Sequence, residues 1–210
     1  MVARALRADA QRNRDAIVAA ARDVFGARGL GAPLEEVAAR ANVGTATLYR
    51  RFATKLDLVT EAFEPEARAY VEVVDRGLAD PDPWHGFVTT VVSVCAMQAE
   101  HRALADLVTL TPPSENGDPG DTPHLGSSRI HELVARAQAS GDLRADFTPQ
   151  DVVLIFMSTA GVVHRTYAAA PDSWRRTVGF MLAGLRAGTP LEVASEPPSE
   201  KAIWAAMARF

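Results

Sequence analysis

Cysteine is nearly absent from this 210-residue chain, in which Cys95 is the single one. One cysteine excludes a disulfide framework within the chain and a cluster of cysteine metal ligands, and it is typical of a reducing compartment. Because free cysteines are usually buried and inert, the sequence favours Cys95 as a small core residue over a reactive thiol.

Long hydrophobic runs are also missing. The longest apolar-rich stretch covers residues 152–163 and already contains Ser158 and Thr159, whereas a membrane-spanning helix needs about 20 apolar residues. The first residues carry arginines with no apolar segment behind them, which does not fit a secretory signal. We therefore expect a soluble, cytoplasmic protein that does not enter the membrane.

The chain lacks the short motifs on which common catalytic sites are built. It has no Walker-type glycine-rich loop and no Gly-x-Ser-x-Gly sequence,. Di-metal sites in helical bundles use Glu-x-x-His pairs, and no histidine here follows a glutamate at that spacing. Asp82 and His85 have Asp-x-x-His spacing beside a proline-rich loop, which favours a helix start. We predict no cofactor, no metal and no catalytic residue.

Charge is unevenly distributed along the chain. The net charge is -4, but residues 1–60 carry ten Arg and Lys against six Asp and Glu, whereas residues 61–210 carry twelve against twenty. A basic first part on an acidic body indicates an anionic partner for the first part. A solvated, arginine-rich surface would give the same composition.

Helical spacing of apolar residues dominates the sequence, and no strand pattern competes with it. Residues 17–25 predict a first helix of about 16 residues that stops near Gly29, and Pro33 suits the first turn of a second helix. Further helices are predicted from about residue 45, over 55–77 with a kink or break at Pro65, and over 84–99, 101–110, 126–140, 148–169, 172–187 and a short last segment.

The segment NVGTATLYRRFATK, residues 42–55, places polar and basic residues where a core helix would have aliphatic ones. Asn42 tolerates a left-handed backbone and therefore suits a turn between two short helices. Leu48 and Phe52, four residues apart, can anchor one face of the second helix. Its other face is polar, which predicts a helix-turn-helix.

The outward residues of the second helix suit contacts with DNA. Its first residues would meet base edges: Arg50 could donate to guanine, and the methyl groups of Thr45 and Ala46 could contact a thymine methyl. Thr47, Tyr49 and Lys55 suit phosphates, Lys55 beside the start of the next helix, where free N–H groups favour an anion. Arginines of an expected flexible arm add to this, namely Arg4, Arg7, Arg12 and Arg14. An ordinary surface helix with solvated arginines is the alternative.

Residues 15–63 resemble the DNA-binding domain of tetracycline-repressor-type (TetR family) regulators, because TLYRRFATK matches the family signature Thr-(Leu/Ile)-Tyr-x-x-Phe-x-x-Lys. The resemblance implies phosphate contacts for Thr47, Tyr49 and Lys55, and base or groove contacts for Thr45, Ala46 and Arg50. The chain departs from the commonest pattern in three places: Gly44 replaces a capping serine, Ala32-Pro33 replaces a threonine that touches a phosphate, and Asn42 replaces a turn glycine.

The helical pattern predicts an all-α fold for the whole chain, and the resemblance implies a division into two domains. We place an N-terminal three-helix helix-turn-helix DNA-binding domain at residues 1-56 and a larger α-helical effector-binding and dimerisation domain at 57-210. The partners would be a double-stranded DNA operator, a small-molecule effector and a second copy of the chain. The resemblance places the homodimer interface on 148-169 and 172-187, where Val152, Ile155, Phe156, Thr159 and Val163, and Phe180, Leu182 and Leu185, are apolar candidates that core burial explains equally well.

An effector pocket is expected between 84–99, 101–110, 126–140 and 148–165. Its candidate walls are Trp84, Phe87, Val91, Met97, Leu104, Leu133, Phe156 and Met157, all of which could equally be core residues. Candidate polar residues are His101, His131, His164 and Arg165, since a mostly apolar pocket needs few polar groups.

The sequence therefore predicts a ligand-responsive, sequence-specific transcriptional regulator, a repressor released from its operator by a small apolar or aromatic molecule. The alternative is an α-helical small-molecule-binding protein or enzyme with a non-functional DNA-binding head. The outward residues Thr45, Tyr49, Arg50 and Lys55 argue against that alternative.

Overall fold

The computed structural model describes residues 2–100, 128–188, 193 and 195–207. Its helices are α1 (Val2–Arg28), α2 (Leu34–Arg40), α3 (Thr45–Arg51), α4 (Lys55–Ala62), α5 (Glu64–Ala79), α6 (Pro83–Glu100), α7 (Ser128–Ala139), α8 (Pro149–Thr166), α9 (Ser173–Gly184) and α10 (Glu200–Met207). Within these ranges the extended structure is one isolated bridge, between Leu143 and Arg186. The all-α prediction is confirmed. The helix predicted at 101–110 lies outside the described residues.

The chain divides into two compact units, Met1–Glu66 and Ala67–Phe210. The sequence-based boundary at residue 56 fell earlier, because it treated 55–77 as one helix of the larger domain. Helix α4 instead belongs to the first unit, where it packs on α1 and buries Leu58, Val59 and Ala62. The helix predicted over 55–77 is interrupted at Phe63, two residues before Pro65,. Of the kink or break predicted at Pro65, the structure therefore has the break.

Helix α1 is much longer than its apolar pattern predicted. It runs for 27 residues and ends before Gly29, whose φ of 77° is a left-handed conformation that favours glycine,. Polar pairs one turn apart support its first half, as Gln11 donates to Asp15 and Arg12 pairs with Asp9,. Arg4, Arg7, Arg12 and Arg14, which the sequence placed on an arm before the first helix, all lie on α1.

Arg14 connects three parts of the first unit. Its guanidinium pairs with Glu61 of α4, donates to the carbonyl oxygen of Arg51 at 3.2 Å, and lies 4.5 Å from the ring centroid of Phe52. A charged group that is paired, hydrogen-bonded and stacked on a ring contributes to stability more than an exposed ion pair does. Arg14 therefore fixes the end of α3 against α1 and α4.

Replacing Arg14 with glutamine is expected to lower the free energy of unfolding by about 1–2 kcal/mol, since it removes the ion pair and the ring contact. Arg12→Gln is the matched control, because Arg12 and its partner Asp9 are both largely exposed and such pairs contribute less than about 1 kcal/mol. Urea denaturation of both variants measures the difference. Equal stability of the two variants would contradict the role given to Arg14.

Asp82 begins helix α6 in the second unit. Its carboxylate accepts the backbone N–H of His85 at 3.0 Å, three residues on, as an N-cap residue does,. This confirms the interpretation of Asp82 and His85 as a helix start.

Helix α6 packs on α7, α8 and α9. Its Cys95 is fully buried and donates to Thr159 at 3.6 Å, and burial raises the pKa of its thiol to about 12. Cys95 is a core residue, as predicted.

Helices α5 and α6 approach each other closely at two glycines. A Cβ at Gly86 would overlap the carbonyl oxygen of Gly77, and a Cβ at Gly77 would overlap the hydroxyl of Thr90. Only glycine permits this backbone distance, so Gly77 and Gly86 set where the two helices meet.

Gly86→Ala is accordingly expected to lower the free energy of unfolding by about 1–3 kcal/mol, because backbone must move to admit the methyl group. Gly26→Ala is the control, since Gly26 lies within α1 of the first unit and a Cβ there would meet nothing within 4 Å. The control should gain about 0.5–1 kcal/mol from the better helix propensity of alanine. Thermal unfolding of the two variants tests this, and a stabilised Gly86→Ala variant would refute the close approach.

Candidate nucleic-acid interface

The turn between α2 and α3 is closed by backbone hydrogen bonds around Asn42. The N–H of Asn42 donates to Ala39 at 3.1 Å and the N–H of Val43 donates to Ala38 at 3.0 Å. With Asn42 at a φ of 54°, this is a Schellman motif, in which a left-handed residue ends the helix and satisfies its last carbonyls. Asn42 therefore adopts the left-handed backbone conformation that the sequence predicts for it.

Helix α3 is anchored by two residues. Leu48 is 0% exposed, and Phe52, which ends the helix and donates its N–H to the Leu48 carbonyl, is 2% exposed. Gly44 occupies the N-cap position of α3, and because glycine has no side chain, no side-chain hydrogen bond caps the helix there. A seven-residue helix held by two side chains on one side leaves its remaining surface available for another partner.

The predicted contact residues of α3 are all at least partly exposed. Ala46, Tyr49 and Arg50 are exposed, and Thr45 and Thr47 are half-buried. Arg50 donates to the hydroxyl oxygen of Thr47 at 2.8 Å, which leaves the Thr47 hydroxyl proton available to an acceptor such as a phosphate. The structure therefore presents a guanidinium, a phenol and hydroxyls together on one short helix.

Lys55 has partners within its own unit. Its ammonium donates to the carbonyl oxygen of Ala32 at 2.7 Å and lies 5.3 Å from the ring centroid of Phe25. An ammonium has three donors, so a phosphate contact by Lys55 stays a prediction. The anion site expected at the start of α4 is partly occupied by protein groups, because the Asp57 carboxylate accepts the Thr54 N–H at 2.9 Å and the Thr54 hydroxyl accepts the Asp57 N–H at 3.1 Å.

The arginines of the first unit whose side chains the structure describes fall into two groups. Five of them are in ion pairs with carboxylates, namely Arg12, Arg14, Arg22, Arg28 and Arg40. Arg50 and Arg51 at the end of α3 are exposed and pair with no carboxylate among the described residues. Among the arginine side chains described in this unit, those without a carboxylate partner thus lie on α3, where a polyanion would be attracted,.

Sequence reasoning missed the structural arginines. Arg22 pairs with the buried Glu66 and donates to the Ala62 carbonyl, and its guanidinium lies 5.5 Å from the Phe63 ring centroid. Arg14 had a usable signal, because it is three residues before Ile17 and so lies on the apolar stripe of α1. An arginine on such a stripe indicates a contact inside the domain.

The residues predicted to form an effector pocket are divided by the structure. Phe87, Val91, Leu133 and Phe156 are buried in the second unit, and Trp84 stacks on Phe87 with 5.8 Å between ring centroids. Met97 and Met157 are half-buried, whereas His131, His164 and Arg165 are exposed and therefore do not line a buried pocket. His164 and Arg165 lie in the last turn of α8, where cations favour the helix dipole,. His101 and Leu104 lie outside the described residues.

A cleft of about 710 Å³ lies elsewhere, between α8, α9 and residues 193 and 195–198. Its apolar lining includes Leu154 and Phe180, which are 39% and 64% exposed. This is the region predicted for the homodimer interface, but the predicted apolar face of α8 is not the exposed one. Five of its members are buried within the unit instead, namely Val152, Ile155, Phe156, Thr159 and Val163.

Two kinds of site are not found in the described part of the chain. None of its helices combines the length and the apolar character that crossing a membrane requires. Its His, Cys, Asp and Glu side chains form no group of three or more that could hold a metal ion.

Two family models match the chain, one for each unit. Residues 17–62 match the model of bacterial regulatory proteins of the tetR family, and residues 82–187 match the model of the C-terminal domain of SbtR-like transcriptional regulators. The first match includes all of α2, α3 and α4. A comparison with curated proteins found no match.

Solved structures agree with this assignment. A TetR regulatory protein from Mycobacterium vanbaalenii is 30% identical over 86% of this chain and 99% of its own, with a TM-score of 0.42. A TetR regulator from Streptomyces coelicolor is 31% identical over 83% and 99%, with a TM-score of 0.48. The resorcinol complex of RolR shares the fold at a TM-score of 0.55, with 18% identity over 90% and 100%. The chain belongs to the TetR family of bacterial transcriptional regulators.

Proposed function

We propose that this regulator is a homodimeric repressor that binds a DNA operator through α3 and leaves it when a small molecule binds the second unit. The observation that carries the DNA-binding part is the composition of the α3 surface. Ala46, Tyr49 and Arg50 are exposed and Thr45 and Thr47 are half-exposed, whereas the anchor Leu48 is buried. These groups suit phosphates and base edges in the major groove.

Within α3 the roles divide by chemistry. Arg50 can donate two parallel hydrogen bonds to guanine O6 and N7, which is a base-specific contact. Thr47 and Tyr49 carry hydroxyls that suit phosphates and so set the register of the helix. Lys55, held at Ala32, would add a third phosphate contact from the start of α4.

Dimerisation would supply the second α3. A helix-turn-helix dimer places two recognition helices about 34–36 Å apart, or a multiple of that distance, on successive faces of the major groove. The exposed apolar side chains of Leu154 and Phe180 support an interface on α8 and α9, because apolar patches of this kind usually contact a partner.

Ligand response would require the second unit to favour one of two states. Switching an equilibrium from 1:99 to 99:1 needs about 5.5 kcal/mol of differential binding energy. Helix α5 links the two units covalently and would carry this preference from one to the other. On α5, Glu66, which pairs with Arg22, lies one helical turn before buried Tyr70. The resorcinol bound by RolR supports a small aromatic effector as a starting point.

The proposal is tested with the purified protein on its selected operator, by fluorescence anisotropy with and without a panel of small phenols. We expect at least one phenol to raise the dissociation constant for operator DNA about 100-fold or more. Operator affinity that no effector changes would refute ligand release while leaving DNA binding in place.

A further inference from the structure

Two buried polar side chains of the second unit have no hydrogen-bond partner in the part of the chain that the structure describes. Gln98 on α6 is 0% exposed, and neither its Nε2 nor its Oε1 is hydrogen-bonded. The hydroxyl of Tyr70 on α5 is also buried and unpaired. Unpaired buried polar groups destabilise a folded protein and are rare, so each needs a reason.

The neighbours of Gln98 along α6 do not share this feature. The hydroxyl of buried Thr90 donates to the Gly86 carbonyl at 2.8 Å, and the thiol of Cys95 contacts the hydroxyl of Thr159. Gln98 follows them on the same buried stripe of the helix. Its amide has two donor hydrogens and an acceptor oxygen, and it is the larger polar group on that stripe.

The interior of the second unit carries no formal charge among the described residues. Its buried polar side chains are Thr90, Gln98 and Thr159, all neutral, together with the Tyr70 hydroxyl. A charged molecule entering such an interior would lose its hydration without gaining a counter-charge. A neutral molecule with one hydrogen-bonding group would instead satisfy a side chain that is now unpaired.

We infer that Gln98 is a polar recognition residue of the effector site, with Tyr70 as a second one, and that the effector is an uncharged molecule bearing a hydroxyl, carbonyl or amide group. This inference rests on the proposed ligand response and names its chemistry. A site with a buried, otherwise unpaired polar group discriminates strongly against an analogue that lacks the matching group.

The binding test uses the full-length protein and three probes of similar size: benzyl alcohol, toluene and benzoate. Dissociation constants are measured by ligand-observed NMR for the wild type, Gln98→Leu and Tyr70→Phe. We expect the wild type to bind benzyl alcohol about tenfold more tightly than toluene or benzoate. Gln98→Leu should abolish the preference for the alcohol over toluene, and Tyr70→Phe should reduce it.

Thermal unfolding gives a readout without any ligand. Gln98→Leu is expected to keep or raise the melting temperature, because it removes an unpaired polar group at similar volume. Gln138→Leu is the matched control, since the Gln138 amide donates to the carbonyls of Arg144 and Phe147 at 3.1 and 2.8 Å. That variant should lose about 2–4 °C.

The two readouts decide the inference. A Gln98→Leu variant that keeps the wild-type order of probe affinities, or that loses as much melting temperature as Gln138→Leu, overturns it. Operator binding by the wild type and the variants, measured without probes, tests the proposed function separately. Intact operator binding with an unchanged probe preference would refute only the assignment of Gln98.

Discussion

Arg50→Ala is expected to weaken binding to the preferred operator by about 10- to 100-fold, the loss that follows from removing one bidentate contact to guanine. The loss should be smaller on operators in which the contacted base pair has been changed, so that the variant discriminates less between sequences. Arg50 is exposed, and its one described hydrogen bond is to Thr47, so the substitution leaves the buried anchors of α3 intact. Anisotropy titrations on a set of single-base operator variants measure both effects.

Arg51→Ala is the matched control for that experiment. Arg51 is the next residue, is equally exposed and carries the same charge, so it reports the purely electrostatic part. We expect it to lower affinity for all sequences alike and to reduce the slope of log affinity against log salt by about one. If Arg50→Ala also weakens all sequences equally, Arg50 contacts phosphate and the base-reading role is wrong.

Phe180→Glu is the second substitution with a large expected effect. Phe180 is 64% exposed beside Leu154 at the α8–α9 cleft, so a carboxylate there would lose its hydration in a dimer interface. In the monomer the new carboxylate would lie beside Arg176, whose guanidinium is now 4.7 Å from the Phe180 ring centroid. We therefore expect a folded monomer and a loss of operator affinity of about 100-fold or more, since the two half-sites are no longer bound together.

Sedimentation equilibrium and operator titration of the same preparation test this prediction. Ala135→Glu is the control, because Ala135 is exposed on α7 and the substitution adds the same charge away from the cleft. The control should keep the wild-type oligomeric state and affinity. A Phe180→Glu variant that still sediments as the wild type would move the interface away from this face.

Local sequence patterns were sufficient to predict the helix-turn-helix of the first unit. The apolar spacing of Leu48 and Phe52 and the left-handed preference of Asn42 depend on neighbours within a few residues, so they can be read without tertiary structure. Lys55 shows the limit of such reasoning. Its partner at Ala32 is 23 residues away, and nothing in the local pattern indicates it.

The second unit was harder to predict because its side chains are arranged by long-range packing. An apolar residue on α8 can face the core, as Phe156 does, or a cleft, as Leu154 does, and helical periodicity alone does not say which of two apolar faces is covered. Histidines were chosen as polar pocket residues for their chemistry, yet His131 and His164 are exposed. A single glutamine in an apolar helix has no sequence signature, so local patterns do not single out Gln98.

The central claim is that α3 reads a DNA sequence, and in vitro selection from a randomised duplex library tests it most directly. Wild-type protein, Arg50→Ala and Arg51→Ala would be carried through the same rounds at about 50 mM and about 200 mM salt. We expect the wild type to enrich one palindromic motif and Arg51→Ala to enrich the same motif. Arg50→Ala should lose its preference at one guanine in each half-site. No enriched motif for the wild type at the lower salt concentration would contradict the account.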